Sequence, residues 1–378
     1  MPGLFTPLRL RDVSLDNRIV VAPMAQYQAT DGSASDWHLI HLGTLAASGA
    51  GLVLTESAHV EPQGRITTGC LGLYSDDNEA ALRRVFDACR RYGSARLGIQ
   101  LSHAGRKGSA RLPWRGRNQP LATSEGGWRT WSCAGQPRAP GWPTPSVLDA
   151  EGLRRVRDAH TGAARRASRI GADLLELTMA HGYLLHEFLS PLSNVREDGY
   201  GGDLHGRMRY PLEVFEAIRD VWPTDRALGV RISATDHLPD GWDLEGSVTL
   251  ASALQDRGCD YISVSSGGLS LDQQIPLGEA HQVPYAATIR EQVGIATMAA
   301  GMIYDPRAAD RIVVDGAADL IALARAFLWD PRWPWFAAAE LDAEVEHPQA
   351  YLRGYRSRWH RDQRLGSGSR GTPPGSAP

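Results

Sequence analysis

The stretch Asp173-Leu-Leu-Glu-Leu-Thr-Met179, running straight on into Ala-His-Gly-Tyr183, decides the reading of the fold. It is a short, mostly apolar run that ends in polar residues, as expected of a parallel strand buried on both faces. A helix-compatible stretch, 149–170, precedes it. Similar runs occur at 19–23, 51–57, 96–101, 228–233, 259–266, 296–301 and 318–324, which makes eight in all. Patterned segments at 76–92, 211–221, 244–257 and 306–314 lie between them. Eight strand-then-helix units predict an α/β fold, a (β/α)₈ TIM barrel, whose usual size is roughly 250 residues plus insertions. The rival, a doubly wound open sheet, needs a GxGxxG turn after an early strand, and the sequence has none.

Composition narrows the function classes. The 378 residues are 42% hydrophobic and 22% charged, with a formal net charge of −3. These values exclude wholesale disorder and argue against a dedicated nucleic-acid binder. No apolar run approaches the roughly 20 residues that span a bilayer. Residues 1–10 carry neither an apolar signal core nor twin arginines, so a cytoplasmic protein is expected. Cys70, Cys89, Cys133 and Cys259 lie far apart and without CxxC spacing, so no zinc, iron–sulfur or disulfide framework is expected. His38, His41 and His59 have no carboxylate or cysteine at ligand spacing, and packing or surface roles are expected of them.

Two segments break the rhythm. Residues 104–145 are rich in Gly, Pro, Trp and Arg without helical period. They follow the third strand at the face where barrel sites form, so they are read as a capping insertion. Trp114, Trp128, Trp131 and Trp142 all fall in it, either shaping the cavity or forming a local core. The barrel is expected to occupy 1–345, with a C-terminal arm at 346–360 and a disordered tail at 361–378.

In a barrel, polar residues at the carboxyl ends of strands are the first catalytic candidates. Here they are Pro23-Met-Ala-Gln-Tyr27 after strand one, Gln100 to Lys107 after strand three, and Thr178 to Tyr183 after strand four. Arg231 lies on strand five, Gly301 follows strand seven, and Ala324-Arg325 follows strand eight. The loops after strands seven and eight form the recurrent phosphate site of this fold, which suggests a phosphorylated cofactor across the mouth. Lys107 is the single lysine among 40 basic residues. A compact ammonium preserved against such an arginine bias suggests a position that a planar guanidinium does not suit.

These residues resemble the old yellow enzymes, FMN-dependent ene-reductases, and specifically their thermophilic-like class. The most specific stretch is His181-Gly-Tyr-Leu-Leu-His-Glu-Phe-Leu-Ser-Pro-Leu-Ser-Asn194, continuing through Arg196, Asp198 and Tyr200-Gly-Gly202 to Arg207. Gln100…His103-Ala-Gly-Arg-Lys107 and the Pro23-Met24 turn add support. The resemblance implies FMN over the barrel mouth. Pro23, Met24 and Ala25 would contact its ring, and Ser57 and Gln100 its pyrimidine edge. Arg231 would stand where negative charge accumulates on reduction, and Gly301, Ala324 and Arg325 would hold the phosphate. It also implies ping-pong transfer of hydride from NAD(P)H, with NADPH favoured, to an activated alkene. Tyr183 would act as proton donor, and two strand-four side chains would polarise the substrate carbonyl. Tyr27 and Lys107 would serve the substrate. Arg353 would reach a neighbouring subunit's site in a homodimer or dimer-built tetramer.

Three departures stand out. The strand-four pair, usually His-x-x-His or His-x-x-Asn, is Thr178-x-x-His181. The cysteine usual after Pro-Met is Ala25, and the Asn usual before Arg207 is Gly206. The first two leave alternatives beside alkene reduction: a flavin-dependent dehydrogenase or desaturase of a small carbonyl compound, or a non-catalytic flavin-binding barrel.

Overall fold

The computed structural model describes residues 1–116 and 118–354. Eight parallel strands close into a barrel: β1 (Ile19–Val21), β2 (Leu52–His59), β3 (Arg96–Ser102), β4 (Leu174–Met179), β5 (Ala227–Ser233), β6 (Tyr261–Ser265), β7 (Ala296–Ala299) and β8 (Leu320–Leu323). β8 pairs with β1, Ile321 opposite Ile19, and so removes the open edge. The expected (β/α)₈ architecture is the observed one.

Alternation along each strand sorts the core into two compartments. Outward residues such as Val53, Ile99, Leu177 and Val230 pack under the helices. Inward residues Leu52, Leu54, Leu174, Tyr261 and Met298 fill the barrel floor. Gly229 lets that floor close, since a Cβ there would stand 2.1 Å from the Tyr261 ring. A small antiparallel hairpin, Leu8–Leu10 with Val13–Leu15, plugs the bottom with Leu10, Val13 and Leu15. Leu-Arg-Leu and Val-Ser-Leu alternate as such a hairpin requires, but each is too short to stand out as an apolar run.

The outer helices include α1 (Asp36–Ala46), α2 (Asp76–Tyr92) and α3 (Ala150–Ile170). Ser75 caps α2 by accepting from Asn78 N at 3.1 Å, with Asp76, Asp77 and Glu79 in its positive first turn. Asp149 likewise caps α3 through Gly152 N at 2.8 Å. The short α4 (Leu184–Leu189) leaves the barrel mouth, and α5 (Leu204–Arg219) follows it. The sequence pattern starts α5 at Pro211, but the helix begins at Leu204 and carries the proline inside. Asp203 supplies the cap through Gly206 N at 2.8 Å. The rest of the ring comprises α6 (Leu244–Asp256), α7 (Val283–Val293) and α8 (Pro306–Val314), then α9 (Arg325–Trp329) and α10 (Trp333–Glu340).

The insertion at 104–145 holds three short 3₁₀ turns and one two-residue strand, Trp131–Ser132, paired with Ser146–Val147. It is fastened to the barrel by long-range polar contacts. Arg196 Nη1 donates to Cys133 O and Leu148 O, both at 2.9 Å, while Glu187 accepts from Arg106 N and Ser132 Oγ. Three of its tryptophans face arginines: Trp128 with Arg65, Trp131 with Arg155 and Trp142 with Arg138. Of the expected arm, residues 355–360 lie outside the described residues, as does all of 361–378. No helix among the described residues is long and apolar enough to cross a membrane.

Candidate active site

Two hollows open at the carboxyl ends of the strands and share Pro23, His181 and Arg231 in their walls. The larger, about 390 Å³, runs past Ser265, Ser266 and Gln282 to Gly301, Met302, Ala324 and Arg325. The smaller, about 110 Å³, is walled by Ala25, Glu56, Ser57, His59, Ile66, Cys70, Gln100 and Tyr183. The sequence-expected residues Pro23, Ala25, Ser57, Gln100, Arg231, Gly301, Ala324, Arg325, His181 and Tyr183 are thus brought together by the fold. Met24 packs against the outer core beside them, its carbonyl accepting from Gln26 Nε2 at 2.9 Å.

The polar end is built on carboxylates that were not expected there. Glu176, fully buried on β4, accepts from Gln100 Nε2 at 2.7 Å and from Tyr261 OH at 3.1 Å. Burial pushes its pKa up, opposed by the nearby Arg231. The Gln100 Oε1 accepts from Ser57 Oγ, so this amide is oriented from both sides. Glu56 accepts from Gln26 N at 3.2 Å and pairs with His38 at 3.0 Å, which pins the loop after β1. Each carboxylate had a signal in the sequence, a lone charge inside an otherwise apolar run. His59, expected to serve packing or the surface, faces inward beside Ser57 and lines the smaller hollow.

Arg231 is half-buried, and its Nε is shielded from solvent without a hydrogen-bond partner. A shielded donor left unused is costly unless something in the cavity accepts from it. Gly301 adopts φ +107, and a Cβ there would stand 3.1 Å from Gln282 N and from the His281 ring. A long hollow with amide and hydroxyl groups at one end, a cation at its middle, and Gly301 and Arg325 at the other suits FMN, with its polar ring edge and terminal phosphate.

Where β4 ends, the chain turns through two left-handed residues, His181 (φ +60) and Gly182 (φ +68). Lys107 Nζ holds this turn. It donates to His181 O at 2.7 Å and Gly268 O at 2.9 Å, and lies 5.1 Å from the Tyr183 ring centre. Gly268 is needed for that approach, because a Cβ would come within 2.5 Å of His181 Cα. Burial, with Arg138 nearby, depresses the Lys107 ammonium to about 7. His181 donates its backbone N–H to Ser233 Oγ at 2.9 Å, and its Nε2 meets Ser265 Oγ at 2.8 Å. Burial and then the Arg231 and Lys107 charges hold its pKa well below the usual value, so the ring is neutral. Tyr183 stands edge-on to it with centroids 6.2 Å apart, and burial raises the phenol pKa.

The remainder of the recognisable stretch is a buried knot. His186 Nδ1 accepts from Gly182 N at 2.8 Å and its Nε2 pairs with Asp236 at 3.1 Å, which also accepts from Ser190 Oγ. Asn194 Nδ2 donates to Phe188 O and Tyr200 O, both at 2.7 Å.

Besides Met24 and Lys107, three expected residues line neither hollow. Thr178 points inward, level with Arg231 across β4 and β5, but its Oγ1 is buried without a partner and it lines neither hollow. Tyr27 (φ +55) is half-buried against Trp114, ring centres 6.0 Å apart, within electrostatic reach of Tyr183. Arg353 is exposed beyond the last 3₁₀ turn and lines neither hollow.

The family model for "NADH:flavin oxidoreductase / NADH oxidase family" matches residues 3–344. The chain belongs to this family. This FMN-dependent oxidoreductase of the old yellow enzyme type is 38% identical over 355 residues to an NADPH dehydrogenase of Geobacillus thermodenitrificans. That match covers 93% of this chain and 98% of the relative. Morphinone reductase superposes on the flavin oxidoreductase with TM-score 0.74 at 27% identity, covering 92% of each chain. A 2-naphthoyl-CoA reductase complex shares the fold at TM-score 0.81 and 22% identity; 90% of this chain is covered but only 52% of that longer one.

Proposed function

We propose that this enzyme reduces activated alkenes such as enones at the expense of NADPH. The observation that carries the reading is the pairing of His181 and Tyr183, edge-on at 6.2 Å, on the wall of the small hollow that Pro23, Gln100 and Arg231 also line. When bound, FMN supplies a two-electron relay, taking hydride from the nicotinamide and giving it to the alkene β-carbon. Gln100 and Ser57 would hold its pyrimidine edge, Arg231 would stabilise negative charge on the reduced ring, and Gly301, Ala324 and Arg325 would hold its phosphate.

The chain's own residues do the rest. Ser265 Oγ takes a long bond from Gln282 Nε2 at 3.4 Å. Its own hydrogen is then available to His181 Nε2, which puts the imidazole proton on Nδ1. A neutral ring held by its other nitrogen donates to a substrate carbonyl and stabilises enolate charge. The Tyr183 phenol, kept protonated by burial, delivers the proton to the α-carbon. With Thr178 set back from the hollow, carbonyl polarisation rests on one imidazole. This predicts slow turnover of simple enones and better turnover of more strongly activated ones. Arg353 from a second copy and a homodimeric assembly belong to the same proposal.

Anaerobic reduction by NADPH followed by mixing with 2-cyclohexenone tests it. Rapid flavin reduction and reoxidation by the enone are expected. Failure of reoxidation, together with flavin reduction by a saturated ketone, would establish the oxidative, desaturating direction instead.

A further inference from the structure

Above Tyr183 the insertion brings cations together without matching acids. Arg138 lies with Cζ 4.7 Å over the Trp142 ring and donates Nη2 to Asn118 Oδ1 at 3.0 Å. The titratable groups facing it are the Tyr183 phenol, the Arg106 guanidinium and the Lys107 ammonium, and no carboxylate among the described residues is in ion-pair contact with it. Facing Lys107 are Arg138, Arg106 and one acid, Glu187. Glu187 already serves Arg106 N and Ser132 Oγ. Lys107 spends two of its three donors on His181 O and Gly268 O. Half-buried cations in surplus are relieved by losing a proton, toward which the depressed Lys107 leans, or by an anion that joins them, the one route open to a guanidinium. The aromatic face and the Asn118 bond fix the Arg138 plane, so the fork is preorganised for a planar or tetrahedral oxyanion.

We propose that Arg138, backed by the third donor of Lys107, forms an anion subsite above Tyr183 that receives a carboxylate or phosphate of the molecule stacking on the flavin. The inference rests on the flavin-site reading above and names a substrate class for it: alkenes bearing an acidic group beside the activating carbonyl. The same chemistry would also accept a phosphate of the nicotinamide dinucleotide, and the experiment separates the two sources.

FMN-loaded wild type, Arg138→Gln and Arg138→Lys are titrated with cyclohexanone and with 3-oxocyclohexanecarboxylate, followed by flavin absorbance. Neither ketone has a double bond to reduce, so the readout does not depend on turnover. In the wild type the carboxylate should bind about tenfold tighter or more, a preference that salt weakens. Arg138→Gln should bring the ratio of the two affinities near one, and Arg138→Lys should restore part of it. In the second arm, flavin reduction by NADH and NADPH is timed. A tenfold or larger rise in the NADPH KM of Arg138→Gln, with the ketone ratio flat, assigns the subsite to the dinucleotide. Arg138→Gln with the wild-type ketone ratio and wild-type nicotinamide kinetics overturns the proposal. If 2-cyclohexenone never reoxidises the flavin while the ketone ratio still responds to Arg138, the alkene reading fails and the subsite stands.

Discussion

Replacing Tyr183 by phenylalanine removes one hydroxyl and little else, and this makes the size of its effect calculable. The ring keeps its edge contact with His181 at 6.2 Å and its place 5.1 Å from Lys107 Nζ. Stability should therefore move by less than about 1 kcal/mol. General acid catalysis contributes about 10²–10⁴ in rate. Lys107 is held by its two carbonyl bonds, which leaves water as the readiest replacement donor, and the hollow beside Tyr183 measures about 110 Å³. The flavin ring would take part of that hollow, so almost no room for water remains once a substrate ring is also in place. The loss should then be about 10³-fold, or about 4 kcal/mol at 1.36 kcal/mol per factor of ten. It should fall on one half-reaction only. In stopped-flow, flavin reduction by NADPH needs no proton from Tyr183 and should stay near the wild-type rate, while reoxidation by 2-cyclohexenone collapses. Reoxidation within threefold of wild type would refute the proton-donor assignment. Equal slowing of both halves would show that the hydroxyl only shapes the site.

Thr178→His adds a second imidazole level with Arg231 at the barrel mouth. It should raise kcat/KM for 2-cyclohexenone about tenfold or more; a fall with flavin content unchanged would show that the set-back threonine is not what limits polarisation. Lys107→Met leaves His181 O and Gly268 O without their donor, at about 1–3 kcal/mol for each unsatisfied acceptor. After relief of the buried charge, urea unfolding should read a net loss of about 2 kcal/mol, and a change below about 0.5 kcal/mol would remove the clamp from the argument. Glu61 is pulled up by burial, but bonds from His103 at 2.9 Å and Arg155 at 3.2 Å outweigh this and hold it at about 2. Its folded pKa lies below the usual 4.5, so its contribution is complete above pH 4.5 and disappears as pH falls toward 2. That contribution is about 3 kcal/mol at 1.36 kcal/mol per pH unit. Urea midpoints measured from pH 6 to pH 2.5 should fall less steeply in Glu61→Gln, and parallel curves would contradict the assignment.

The barrel could be read from the chain because strands buried on both faces must be apolar almost throughout, and eight such runs leave few architectures. The start of α5 could not, because a proline inside a helix looks like the first residue of one. The cap at Asp203 sits among glycines that read as loop. The insertion at 104–145 is legible in the sequence only as an interruption. What orders it are contacts to distant segments, Arg196 to Cys133 and Leu148, and Glu187 to Arg106 and Ser132. No local periodicity encodes those pairs.

Lys107 shows how far residue identity alone can lead. Its rarity among 40 basic residues points to a position that a planar guanidinium does not suit, while the family resemblance implies a role toward substrate. Two of its bonds instead go to backbone carbonyls, 74 and 161 residues further along the chain. A carbonyl at a left-handed residue cannot be supplied by the regular ladder of a strand, so a donor must come from elsewhere. An ammonium on a four-carbon stem reaches two such carbonyls at once, whereas a guanidinium's planar fork is matched to a single oxyanion. Burial first, then the Arg231 charge and only then this cation, depress the imidazole pKa, and the resulting neutral ring is the form a carbonyl-polarising donor requires. On the proposed mechanism the lysine would act through the position of His181, and only its remaining donor is left for a ligand.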